Sequence, residues 1–148
     1  MKKELEFDIN NGCLIVGDDN IHINTIKMIV VGPSFMREGQ YALQVYTTSM
    51  ILELYYTGSS NIVEDALNKL SVEIKKEHPE FYDVAYIHLV NFRNVENLEY
   101  KTRLLNSTTR IHFVDGGDLI LKSSKDEFDK INKDFEEYNV QNINNTNI

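Results

Sequence analysis

The chain has one cysteine, Cys13, and only four arginines in 148 residues. A single cysteine rules out an intrachain disulfide and a zinc site built on thiolates. Flanked by Leu14 and Ile15, Cys13 reads as a buried small apolar residue. A nucleophilic thiol needs a basic neighbour, and none lies beside it in the sequence. Long apolar runs are missing, so no segment approaches a transmembrane span. The opening Met1-Lys2-Lys3 is followed by Glu4-Leu5-Glu6-Phe7-Asp8 rather than by an apolar stretch, unlike a secretory leader. A cytoplasmic protein, with no membrane partner, is therefore expected. There is no glycine-rich dinucleotide loop, no P-loop, no His-Glu-x-x-His, no Gly-x-Ser-x-Gly elbow and no EF-hand loop. These absences weigh against an enzyme and call for no cofactor.

Charge is lopsided. Asp and Glu number 23 against 15 Lys and Arg, for a net charge of −8. The surplus favours solubility and opposes generic wrapping of nucleic acid, which Lys and Arg drive. Lys far outnumbers Arg, and Asn and Ile are abundant, a composition typical of AT-rich genomes such as those of low-GC bacteria and their phages. The apolar fraction of 42% is ordinary for a globular protein.

The most informative pattern is an internal echo. Tyr41–Tyr46, a turn, Met50–Tyr55, Ser59-Ser60 and an amphipathic stretch are matched by Thr109–Phe113, a turn, Asp118–Lys122, Ser123-Ser124 and a second amphipathic stretch. Both read as strand, turn, strand, helix. The expected fold is α+β: antiparallel sheet or sheets from two pseudo-repeated units, with the helices packed on one face. Residues 1–138 are expected to form a single compact domain of two related halves, about 12–78 and 84–138. The Asn-rich stretch 139–148 is expected to be a disordered tail.

Further elements follow from alternation and turn chemistry. Leu5, Phe7 and Ile9 suit a strand over 4–9. Residues 13–16 and 21–31 suit two more, joined by a hairpin turn at Gly17-Asp18-Asp19-Asn20, and residues 84–90 another. Asp115-Gly116-Gly117-Asp118 is the clearest hairpin turn in the chain. The first helix is expected from Ile62 to Glu77, with Asn61 as its cap and Pro79 stopping it at His78. The second opens on a capping box, Ser124-Lys125-Asp126-Glu127, and carries the stripe Phe128, Ile131, Phe135, Tyr138.

Four groups of residues carry candidate chemistry. First, His22, His88 and His112 each sit between apolar neighbours in an expected strand, pointing away from the buried face. On adjacent strands they would line one polar surface able to bind metal or move protons; otherwise they are separate exposed residues. Second, Arg93, Lys101, Arg103 and Arg110 cluster with Phe92 and Tyr100, opposed only by Glu96 and Glu99. Arginine forks suit phosphate or carboxylate and aromatic rings stack on bases, so these six residues are the candidate anion, nucleotide or nucleic-acid site. The plain alternative is a solvated loop with local ion pairs. Third, Asp126, Glu127, Asp129, Asp134, Glu136 and Glu137 make the second helix acidic, either as a solvated face or as a phosphate mimic for a basic partner. Fourth, Tyr46 and Tyr56 are placed to share an exposed sheet edge that serves as an interface.

In Val95, Leu98, Glu99, Ile111, Phe113, Gly117, Leu119, Leu121, Ser124 and Glu127 the second half resembles the short ββα FlbD/SwrD family of flagellar operons. The likeness consists of alternation plus a helix cap, and no function is carried over from it. The expected function is that of a non-enzymatic binding protein acting by stoichiometric contact. Its partner would be a protein or a small anionic ligand, and it is open to homo-oligomerisation. A phage or mobile-element accessory protein that inhibits or sequesters a host-defence component fits the composition. The alternatives are nucleotide or nucleic-acid binding through the Arg/aromatic patch, and a metal-dependent activity at the histidines.

Overall fold

A computed structural model describes residues 4–146 and the side chains of 4–143. The chain is α+β, with antiparallel sheets and two long helices. It divides into two compact units, with the boundary between Asn91 and Phe92. The boundary falls at residue 91 because the strands that follow the first helix pair into the first unit.

The first unit begins with a three-stranded sheet of β1 (Asp8–Asn10), β2 (Cys13–Val16) and β3 (Asp19–His22), in that order. The turn at Gly17-Asp18 forms as its residues demand, with Gly17 at φ 58°. The expected long strand over 21–31 is broken. A 3-10 turn at Ile23–Thr25 redirects the chain, and β4 (Ile26–Pro33) starts a different sheet. β5 (Tyr41–Thr47) and β6 (Ile51–Thr57) follow, then α1 (Ser60–Glu77), β7 (Phe81–Val84) and β8 (His88–Asn91). The five strands β4 to β8 form one antiparallel sheet in the order β6-β5-β4-β8-β7.

α1 begins two residues earlier than expected. Its N-cap is Ser59 rather than Asn61, and no side-chain cap bond forms there. It ends at His78 before Pro79, as expected. Val63, Leu67, Leu70 and Ile74 bury its apolar face against Ile29, Val31, Leu43 and Val45, with Leu14, Ile21 and Ile23 completing the core. The expected strand over 84–90 is two strands, because Ala85 (φ 49°) and Tyr86 (φ 69°) turn the backbone left-handed between β7 and β8. Buried Asn91 donates from Nδ2 to the carbonyls of Ile26 (3.0 Å) and Ile23 (3.5 Å), satisfying acceptors where the 3-10 turn meets β4.

The second unit holds a 3-10 turn at Phe92–Asn94, then β9 (Val95–Lys101), β10 (Thr108–Phe113), β11 (Asp118–Lys122) and α2 (Lys125–Thr146). Its antiparallel sheet has the order β11-β10-β9. The Asp115–Asp118 hairpin forms as expected, Asp115 accepting from the Gly117 N–H at 3.0 Å. So does the capping box: Ser124 N–H donates to Glu127 (2.9 Å), and Glu127 N–H to Ser124 Oγ (3.2 Å). Along α2, Ile131 and Phe135 are buried and Phe128 and Tyr138 half-buried, the expected stripe. The expected disordered tail is helical as far as Thr146. Once a helix is nucleated each further residue adds a hydrogen bond, and asparagine opposes this only mildly. Residues 147–148 of that stretch lie outside the described residues.

Candidate functional site

Pairing across β9, β10 and β11 decides which side chains share a face. Arg110 lies opposite Glu99 and Ile120, His112 opposite Asn97 and Asp118, and Thr108 opposite Lys101 and Lys122. Directly opposed residues point the same way, so these side chains form one polar face. The alternate residues, Thr109, Ile111 and Phe113, are buried on the other side.

At one end of this face a groove is lined by Lys101, Arg103 and Arg110 together with Leu104, Leu105 and Ile120. Three of the four cationic residues expected at the site therefore meet. Arg110 is 3.8 Å from Asp118 and partly neutralised by it. Leu104 and Leu105 are fully exposed in the segment joining β9 to β10, and Ile120 is exposed on β11. Sequence reading missed these aliphatic residues, although two adjacent leucines in the polar run from Lys101 to Asn106 were the signal.

The aromatic half of the expected site goes elsewhere. Phe92 is buried, its ring 5.3 Å from Phe135 and 6.1 Å from Tyr138 in edge contacts. Tyr100 belongs to the opposite face of β9, where its ring meets Phe128 at 5.3 Å and Lys125 lies over it. Neither ring is offered to a base. Arg93 sits exposed on the 3-10 turn and does not line the groove. For Tyr100 the reason is the two-residue period of a strand, which sends it to the face opposite its neighbour Lys101, whereas Phe92 and Arg93 lie on the 3-10 turn ahead of β9.

Next to the groove, His112 is held between two carboxylates. Its Nδ1 lies 2.7 Å from Asp118 and its Nε2 3.1 Å from Glu99. The hydrogen bond to Glu99, then that to Asp118, hold the imidazole above the usual histidine range. The same bond to His112, with nearby Lys101 and Arg110, holds Glu99 below the usual carboxylate range.

The three histidines are divided among the sheets. His22 belongs to β3, His88 to β8 and His112 to β10, in three different sheets. Among the described residues no group of three or more His, Cys, Asp or Glu is placed to hold a metal ion. Burial pulls His88 below its ordinary range, outweighing the opposing effect of the nearby backbone at Val84 and Ala85. Cys13 is half-buried rather than fully buried, and folding supplies the basic neighbour its sequence lacks. β2 and β3 place the two residues opposite, with His22 Nδ1 3.5 Å from Sγ.

A second organised carboxylate is Glu53 on β6. It accepts from Ser34 Oγ (2.8 Å), Phe35 N–H (2.8 Å) and Gln44 Nε2 (3.1 Å). Burial pushes its pKa up, but these bonds and the charge of Arg37 outweigh that and leave it lowered. Glu53 thus fastens the 34–40 loop, whose Phe35 and Met36 project outward while Arg37 lies 3.6 Å over the Tyr56 ring.

No protein-family model matches the chain, and no curated protein matches it in sequence. The likeness of residues 95–127 to the FlbD/SwrD family therefore gains no support from a family match. No helix among the described residues is long and apolar enough to cross a membrane.

Proposed function

We propose that the chain is a non-enzymatic binding protein whose groove on the second unit receives an acidic segment of a protein partner. One observation carries this reading: Lys101 and Arg103 stand beside exposed Leu104, Leu105 and Ile120 in a single groove. Cations on the rim suit carboxylates, and aliphatic side chains between them suit leucine-like anchors. A nucleotide is the weaker fit, since Phe92 and Tyr100 are committed to the other side and leave no ring for a base. The compositional link to phages would make the partner a host-defence component.

The chain, in the same proposal, holds two diverged copies of one module longer than the echo in the sequence, the second copy beginning with β7 inside the first unit. What supports this is the order of elements. Hairpin β2-β3, a 3-10 turn, β4-β5-β6 and α1 are followed by hairpin β7-β8, a 3-10 turn, β9-β10-β11 and α2. The charged face with its groove belongs to the second copy alone, where the corresponding strands of the first carry Val30, Ala42 and Gln44, all buried.

The test is fluorescence anisotropy with synthetic peptides that alternate Glu and Leu, against the protein and its Lys101→Glu/Arg103→Glu variant. Both positions are exposed, so folding is retained. The expected result is saturable binding by the protein and loss of about tenfold or more in the variant. Equal binding by the two proteins, or tighter binding of mononucleotides than of peptides, defeats the proposal.

A further inference from the structure

We infer that β6 is the docking edge for a second copy of this chain, the two β6 strands pairing antiparallel about a twofold axis. An end strand offers unpaired backbone groups, and natural proteins guard such strands by shortness, charge, proline or bulges. The other end strands here are guarded. β1, β3 and β7 have three or four residues, β9 carries three charges along its length, and the five-residue β11 has a charge at each end. β6 has seven residues, Ile51-Leu52-Glu53-Leu54-Tyr55-Tyr56-Thr57, with one charge, and its one guard is the bulge at the register shift with β5. That charge, Glu53, is bound by Ser34, Phe35 and Gln44 of its own chain, so it does not repel an approaching copy.

The strand is also complementary to itself. The register with β5 shifts between Leu43 and Gln44, which puts Ile51 and Tyr56 on one face and Leu52 and Tyr55 on the other. If Ile51 lies opposite Tyr56 of the partner, Leu52 lies opposite the partner's Tyr55. The axis repeats both pairs, giving four aliphatic–aromatic cross-strand contacts of a favourable kind. The same register brings exposed Met50 of each copy toward the loop end of the other, where Phe35 and Met36 project.

Sedimentation equilibrium across the micromolar range tests this on the full chain. The protein is expected to dimerise. Ile51→Lys and Tyr56→Lys, both at exposed positions, are expected to weaken the dimer by about tenfold or more without changing the circular dichroism spectrum. Ile120→Lys, on the end strand β11, is expected to leave it intact. In a Cys13→Ser background, Ile51→Cys/Tyr56→Cys is expected to form an interchain disulfide on oxidation, since the two positions lie at opposite ends of one strand and cannot meet within a chain. A monomer at every concentration overturns the inference, as does a dimer that survives both lysines or is broken by Ile120→Lys. Dimerisation without the 51–56 cross-link overturns the register.

Discussion

Two histidines of this chain are pushed in opposite directions by their surroundings, and stability should record both. His112 gains a proton more easily when folded, because Glu99 and Asp118 hold the charged form. Its contribution is therefore present below the ordinary histidine value of about 6.5 and is lost as pH rises through the elevated folded value. His88 is the reverse. Burial favours its neutral form, so its contribution is present above that value and is lost as pH falls through the lowered folded value. Proton NMR titration should find His112 titrating above His88, and Glu99→Gln should move His112 downward while leaving His88 alone. Two histidines titrating together would contradict the geometry. Asn91 presents a different residue-level prediction. Asn91→Leu removes the buried hydrogen bonds to the carbonyls of Ile23 and Ile26, and urea unfolding should show a loss of about 1–3 kcal/mol.

At the scale of elements, the β7–β8 turn and the start of α2 show local chemistry at odds with the fold and in agreement with it. Ala85 and Tyr86 both have positive φ, a conformation that side chains with a β-carbon resist. Tyr86 is 78% exposed, so little packing is lost on removing its ring. Tyr86→Gly should raise stability by about 1 kcal/mol, read as a higher urea midpoint at unchanged slope. At α2 both halves of the capping box are made, and Ser124→Ala should cost about 1 kcal/mol. The box was legible in four residues because it is a local hydrogen-bonding unit. The Ala85-Tyr86 turn was not, because neither residue signals a turn; β7 and β8 impose it by pairing in register with each other and, through β8, with β4.

The molecule as a whole combines a net charge of −8 with a small cationic groove. The Debye length is about 30 Å at 0.01 M salt and about 3 Å at 1 M. At low salt an acidic peptide should feel repulsion from the entire chain, and at high salt it should lose its attraction to Lys101 and Arg103. Affinity should pass through a maximum between these limits. The Lys101→Glu/Arg103→Glu variant should show only the rise that comes from screening repulsion. A monotonic fall for the unaltered protein, as expected of a nucleic-acid binder that releases counterions, would point to a phosphate ligand instead.

The sequence by itself determined what depends on near neighbours: the α+β class, the hairpin at Asp115–Asp118, the stop of α1 before Pro79, the capping box and the buried stripe of α2. Periodicity and turn chemistry act over a few residues and can be read without the fold. Only the tertiary structure decided what depends on pairing between distant strands. It separated the three histidines into three sheets, turned Phe92 and Tyr100 away from the arginines, and put Leu104, Leu105 and Ile120 beside Lys101 and Arg103. It also gave Cys13 and His112 their partners. A strand of alternating character specifies that it has two faces; which neighbour each face meets is set by register, and register belongs to the whole sheet.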